Sequence, residues 1–441
     1  MTRPSEVLPY GPTPPESWKV VPLKYLASLT NGYVFDSDRH TDSGTPIIRI
    51  ENLNGSENFN HSALALDDRF RVLPGDLLFS WSGNPGTSFG PFRWHRPGVH
   101  YLNQHIFNVS VTGCDRNWLY WSLKAATHWI ERELTSGMIG MVHVTKDDLG
   151  NVPVPVPPVE VQRRVARFLD AETARIDRLV ELRTRTLGLL AERMTTRMDA
   201  AVRGAGTPGA KRPSEYPPLG DVPAGWRRGR LRSVECEVQT GPFGSQLHAE
   251  DYVDDGWPVV NPANITPAGL VADPQVTVSD EVRARLERHV LRAGDVVFGR
   301  RGELGRAGIV AQAQEGWVCG TGSLRVRFPK GSFDPGYLRR YLAIPAVRHY
   351  FQLHAIGSTM PNLNSGILLN MPLLLPSLAE QAAIVEECAE IERRAAEQRS
   401  LGERQIRLLL DRRRSVVTAA VTGRFDVSAA DGRGVTEGVA G

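Results

Sequence analysis

Residues 189–204 of this chain are written again 219 positions later. Leu189-Leu190-Ala191-Glu192-Arg193, followed by Ala200-Ala201-Val202-Arg203-Gly204, returns as Leu408-Leu409-Leu410-Asp411-Arg412, followed by Ala419-Ala420-Val421-Thr422-Gly423. The same interval pairs Asn151-Val152-Pro153 with Asn370-Met371-Pro372, Gln162 with Gln381, Leu119 with Leu338, and Gly75-Asp76 with Gly294-Asp295. Upstream it contracts, to 212 between Gly44, Pro46, Asn52 and Gly256, Pro258, Asn264, and to 208 between Trp18 and Trp226. Self-similarity of this kind means one structural unit used twice, so the 441-residue chain must contain two copies of whatever the unit is. The contraction from 219 to 208 gives the second copy 11 extra residues ahead of its Gly-Asp turn. Insertions are accommodated in surface loops, and there the copies should differ in what they bind.

Each copy has two parts of different periodicity. The first, about residues 18–156 and 226–375, holds short β-rich runs such as Pro46-Ile47-Ile48-Arg49-Ile50, Asp76-Leu77-Leu78-Phe79, Ile106-Phe107-Asn108-Val109, Asp295-Val296-Val297-Phe298 and Leu324-Arg325-Val326-Arg327. Gly, Pro, Asn and Asp punctuate them, which predicts strands joined by turns, with short helices over 118–134 and 337–350. In the second part, after Pro157-Pro158 and Pro376, apolar residues recur at helical spacing. They are Val161, Val165, Phe168, Leu169, Ile176, Leu179, Leu187, Leu190 and Met194 in the first copy, and Ile384, Cys388, Ile391, Leu401, Leu408, Leu409 and Val416 in the second.

Each helical part should run roughly 40 to 45 residues, about 60 to 65 Å. Neither stripe is stable alone in water, and two of equal length in one chain bury each other most simply as a coiled coil. The first carries the chain from one domain to the next and the second must return, so the pair is antiparallel. The expected fold class is α+β, with two similar mixed α/β domains separated by a long antiparallel two-helix coiled coil in a pseudo-two-fold arrangement. The boundaries are a first domain over 1–156, a helix over 157–204, a flexible Gly/Pro-rich linker over 205–225, a second domain over 226–375, a helix over 376–424 and a frayed tail over 425–441.

Duplex DNA shares that two-fold symmetry, and two-fold proteins place matching elements in major grooves about 34 Å apart or at multiples of it. Two non-identical domains on a rigid spacer would read two unlike half-sites. The net charge is only +3, so a DNA surface must come from local clustering of arginine. Cys114, Cys236, Cys319 and Cys388 form no Cys-x-x-Cys pair, which disfavours a zinc site or disulfide framework and fits a reducing cytoplasm. The absence of a long apolar segment disfavours membrane insertion.

The strings that carry the repeat also resemble those of the specificity subunits of type I restriction–modification systems, over about residues 18–427. In the helical ends these are Pro372 to Pro376 leading into Glu380-Gln381-x-x-Ile384, and Ala419-Ala420-Val421-Thr422-Gly423-Arg424-Phe425-Asp426-Val427. In the domains they are Gly75-Asp76-Leu77-Leu78-Phe79-Ser80-Trp81-Ser82-Gly83, Leu102-Asn103-Gln104-His105-Ile106-Phe107, Gly241-Pro242-Phe243-Gly244-Ser245 and Gly294-Asp295-Val296-Val297-Phe298. The resemblance implies two target-recognition domains and two spacer helices, and a non-catalytic chain that binds double-stranded DNA. It also implies assembly with methyltransferase subunits, two of them, and with restriction/translocase subunits. S-adenosylmethionine, ATP and magnesium are expected on those partners, with no cofactor or metal in this chain.

Arginine grips guanine bidentately, asparagine and glutamine grip adenine, and Ser, Lys and backbone amides hold phosphate. Loop positions with these side chains are Arg49, Asn52, Ser80, Asn84, Asn103, Gln104, His143 and Lys146 in the first domain. In the second they are Ser245, Gln246, Asn261, Asn264, Arg300, Arg301, Arg306, Asn362 and Asn364. The repetition of Asn52 as Asn264 equally suits a fixed turn, since a base-reading position should vary between half-sites. Gly302-Glu303-Leu304-Gly305-Arg306-Ala307-Gly308 lacks the spacing and the Gly-Lys-Ser/Thr of a phosphate loop, and His95, His100, His105 and His143 do not fall at metal-ligand spacing. No Asn-Pro-Pro-aromatic string for base methylation is present. Two other readings stay open: a DNA-modifying enzyme with an unfamiliar active site, and a coiled-coil adaptor that binds only proteins.

Overall fold

The computed structural model describes residues 8–36, 40–135, 141–243, 246–266, 268–301, 305–355 and 363–425. Ser245, Asn362 and the start of the glycine string at Gly302 lie outside them. The chain divides into two compact units, Met1–Thr184 with Glu403–Gly441, and Arg185–Gly402. The divisions fall inside the long helices rather than at their starts, because half of each helix packs against the β-rich part of each unit.

In the first unit the run Leu77–Ser80 is buried throughout, and it sits inside an antiparallel sheet ordered Ala27–Asn31, Ile106–Val111, Leu77–Ser80, Gly90–Arg93. Successive side chains of a strand point to opposite faces, so the run serves two cores. Leu77 and Phe79 pack with Leu119, Leu123 and Ala126 of the helix Arg116–Trp129. Leu78 packs on the other face with Ile48, Val72 and Leu102 of a second sheet, ordered Asn60–Ser62, Thr45–Ile48, His100–Leu102, Arg71–Val72. Its central pair is parallel, Ile48 lying opposite Leu102.

The second unit is built the same way. Its first sheet runs Glu237–Thr240, Ser323–Arg327, Val296–Gly299, Ala307–Ile309. Val296 and Phe298 pack with Tyr337, Leu338 and Tyr341 of the helix Pro335–Ala343, and Val297 faces Val260, Ile265 and Cys319. The second sheet runs Tyr252–Val253, Thr277–Val278, Trp257–Val260, Val318–Cys319, again with a parallel pair, Val260 opposite Cys319.

The long helices span Val159–Val202 and Leu378–Val421, 44 residues each, and their ends are 219 apart as the repeat requires. In the first unit Val165, Ala166 and Leu169, early in one helix, share a core with Val417, Ala420 and Val421, late in the other. Glu172 meets Arg412 at 3.1 Å and Asp177 meets Arg413 at 2.9 Å in the same antiparallel sense. In the second unit Ala201 and Val202 share a core with Ile384 and Cys388, and Leu187 lies against Gly402. The helices therefore pair antiparallel within each unit.

Two expectations need correction. Leu179, Leu401 and Leu408, which helical spacing places in the apolar seam, are 41%, 59% and 59% exposed. Two helices alone cover only a narrow stripe, and burial is complete where Trp118 and Trp121 or the second unit's core residues supply a third wall. The 205–225 segment is folded rather than a flexible linker. Lys211–Pro213 pairs with Asp221–Pro223, Leu219 and Val222 are buried, and Arg203 donates to Leu219 O at 3.1 Å. Among the described residues no helix is long and apolar enough to cross a membrane.

Candidate nucleic-acid interface

Backbone segments from three parts of the chain meet at one edge of each unit. In the first, Asn103 N donates to Ile48 O at 3.1 Å and Trp81 N donates to His105 O at 3.3 Å. Val144 N donates to Trp81 O at 3.0 Å, which draws the Val142–His143 strand onto Ser82–Gly83. In the second unit Gly320 N donates to Val260 O at 3.0 Å, Arg300 N to Gly322 O at 2.9 Å and Leu363 N to Arg300 O at 3.0 Å. These three backbone hydrogen bonds are equivalent in the two units.

The local sequence explains why the chain can cross itself here. A Cβ on Gly32 would lie 2.1 Å from Asn103 O, and one on its counterpart Gly241 would lie 1.8 Å from Gly320 O. Only glycine fits either crossing. Asn52 Oδ1 accepts the Arg49 N–H at 2.9 Å while its Nδ2 donates to Ser56 O and Asn58 O. Asn264 Oδ1 accepts the Asn261 N–H at 2.9 Å and its Nδ2 donates to Val271 O. Both amides are spent on the turn, the second of the two roles their repetition suggested.

The side chains on this common frame differ. Phe79 lies opposite Phe107 and Phe298 opposite Leu324, a register that puts Arg300 where the first unit has Trp81. By the same register Gly320, Thr321 and Gly322 stand where the first unit has Asn103, Gln104 and His105, and Asn261 stands for Arg49. In the first unit Trp81 Nε1 donates to Gln104 O at 3.0 Å, and the ring is flanked by His105 at 5.4 Å and His143 at 6.1 Å. Gln104 Oε1 and His105 Nδ1 are buried without a hydrogen-bond partner. Burial, and then the neighbouring His143, hold the His105 imidazole below its usual range. In the second unit Arg300 Nε donates to Leu363 O at 2.9 Å and its guanidinium lies 4.9 Å from the Phe243 ring. Burial, and then Arg301, push the Arg300 guanidinium below its usual range.

Of the residues singled out from sequence, the first-unit edge gathers Arg49, Asn103, Gln104 and His143, and the second-unit edge Asn261, Arg300 and Arg301. Arg49 is ion-paired to Glu51. Asn84 is exposed in the following loop, and Lys146 is exposed at the start of Lys146–Gly150. Ser80 is fully buried, its Oγ donating to Ser82 O at 2.8 Å. Gln246 Oε1 accepts the Phe243 N–H at 3.1 Å, Asn364 caps Ser365–Leu369 by accepting from Ile367 N, and Arg306 reaches Ile265 O at 3.5 Å. Sequence reasoning did not single out Trp81, His105 or Phe243, although all three stand in the strings that carry the resemblance. For Trp81 the available signal was an aromatic between serines directly after the Leu77–Ser80 strand.

Residues 15–184 match the family model described as "Type I restriction modification DNA specificity domain". The type I restriction enzyme EcoBI specificity subunit of Escherichia coli is 22% identical over 388 residues, spanning 85% of this chain and 79% of that protein. The MjaVIII specificity subunit of Methanocaldococcus jannaschii is 22% identical over 418 residues, spanning 91% and 93%. Among solved structures, a chain from a study of complex assembly and conformational transition of the type I R-M system superposes with a TM-score of 0.70 at 21% identity, covering 93% of this chain and 99% of that one. The HsdS subunit from Thermoanaerobacter tengcongensis superposes with a TM-score of 0.55 at 20% identity, covering 94% and 98%.

Proposed function

We propose that this chain, a specificity subunit of the type I restriction–modification family, recognises a DNA target in two unlike halves, one read by each unit. The observation that supports this most directly is the common edge. Its backbone is repeated down to single hydrogen bonds, while Arg49, Trp81, Gln104 and His105 give way to Asn261, Arg300, Thr321 and Gly322. A structural requirement would hold side chains constant at equivalent places, as it does for Asn52 and Asn264. A change of side chain on an unchanged frame is what reading a different base sequence demands.

In this reading the length of the two long helices, 44 residues each, sets the gap between the half-targets. The chain performs no bond chemistry. Methyltransferase subunits, two of them, dock on it together with restriction/translocase subunits, and S-adenosylmethionine, ATP and magnesium act on those partners. The test exchanges residues 226–375 for those of a relative with a different target and maps the bases methylated by the assembled complex. One half of the target should change and the other should stay. A change in both halves overturns the assignment of one half to each unit.

A further inference from the structure

The second unit's edge carries two adjacent guanidiniums in different roles. Arg300 is 9% exposed. Its main chain is held by Gly322 and Leu363, its Nε by Leu363 O at 2.9 Å, and its plane by the face of Phe243, which is itself 50% exposed. Arg301 is exposed, with no ion pair or hydrogen bond to another described side chain. In the first unit the equivalent of Arg301 is Ser82, which is 2% exposed beneath the Val142–His143 strand. The adjoining turn, Gly320-Thr321-Gly322, bears one short side chain where the first unit carries an amide, an amide and an imidazole.

Resting on the proposed DNA-reading function, we infer that Arg301 is a specificity-determining residue that takes a guanine in the half-target of the second unit, and that Arg300 is its positioning residue. A guanidinium offers two parallel N–H donors that match guanine O6 and N7 in the major groove, a pairing no other base pair presents in the same pattern. Placing it beside a second, immobilised guanidinium raises the local positive potential, and polyanionic DNA relieves that repulsion on contact. The first unit has no guanidinium at either equivalent place, so its half-target lacks this guanine dependence.

The experiment uses the full chain assembled with its methyltransferase partners and a pool of duplexes with randomised sequence, from which bound molecules are sequenced. Arg301→Lys keeps the charge and loses the fork, and Arg301→Ala loses both. Both variants should reduce preference for one G·C pair, in one half of the target only, by about ten- to hundred-fold. If Arg301→Lys keeps that preference, or if Arg301→Ala weakens all sequences alike with a shallower salt dependence, Arg301 contacts phosphate and the inference fails. A wild-type complex that selects no sequence at all removes the DNA-reading function itself, an outcome distinct from variants that select as the wild type does.

Discussion

Gln162 and Gln381 hold the same joint in the two units. Gln162 Oε1 accepts the Asp115 N–H at 2.7 Å while its Nε2 donates to Pro157 O at 2.7 Å. Gln381 Oε1 accepts the Asp334 N–H at 2.9 Å while its Nε2 donates to Pro376 O at 3.0 Å. Each side chain is 3% exposed and ties the start of a long helix to the start of a short one, Arg116–Trp129 in the first unit and Pro335–Ala343 in the second. The link from sequence to geometry is direct, because a buried amide with both ends committed can be replaced by no other side chain of its size.

Gln162→Ala and Gln381→Ala should each cost about 1 to 3 kcal/mol, because a backbone donor and a backbone acceptor lose their partner. Urea unfolding monitored by circular dichroism measures this. A loss below about 0.5 kcal/mol would mean that water takes over the joint.

Gly204 closes the first long helix at φ +71°, and a Cβ there would lie 2.5 Å from the Trp226 ring. Gly423 closes the second at φ +74°, with Pro15 at 2.6 Å and Trp18 at 3.1 Å. Gly204→Ala should lower stability by about 2 kcal/mol or more, combining left-handed backbone with a clash. Gly206→Ala, where a Cβ meets nothing within 4 Å, should stay within about 0.5 kcal/mol. Equal melting temperatures for the two variants would contradict the close approach.

Asn52→Ala should destabilise the first unit by about 2 kcal/mol through the loss of its three turn hydrogen bonds. At a temperature where the variant is folded, the base pairs preferred by the assembled complex should be those of the wild type. A changed preference would make Asn52 a reader rather than a turn former.

His100 and His289 are buried. Burial holds both imidazoles below the usual value, aided by Arg96 at His100 and by Arg325 and Arg288 at His289. The folded chain then binds these protons more weakly than the unfolded chain, so stability rises with pH. The contribution is complete above the unfolded value of about 6.5 and is lost as pH falls through the lower folded value. Melting temperature should fall from pH 7 to pH 5, and His289→Gln should lie lower throughout with a flatter slope. A variant slope as steep as the wild type's would assign the acid sensitivity to other groups.

Inserting seven residues at matched places in both long helices adds about 10 Å of helix and keeps every apolar position in phase. The gap between half-targets should widen while both halves keep their sequence, as read from methylated positions. Altered half-targets would mean that the helices shape the reading edges.

The sequence by itself determined the duplication, the class of each part and the limits of both long helices. These are properties of periodicity, and a pattern repeated at 219 residues survives whatever the side chains do in space. Apolar spacing of 3.6 against 2 separates helix from strand without knowledge of neighbours. Tertiary structure alone decided which polar residues are spent on the frame and which face outward. Asn52 and Asn103 look alike in sequence, yet hydrogen bonds to residues 49, 56 and 58 commit both ends of the buried Asn52 amide, whereas the half-buried Asn103 commits only Oδ1, to the His105 N–H at 3.3 Å, and stands at the edge. The equivalence of Trp81 with Arg300 was likewise hidden. It rests on strand register, which pairs residues about 25 positions apart in the chain and cannot be read from either string alone. The same holds for the folded 205–225 segment, whose Gly- and Pro-rich composition signals flexibility until Leu219 and Val222 find a core to enter.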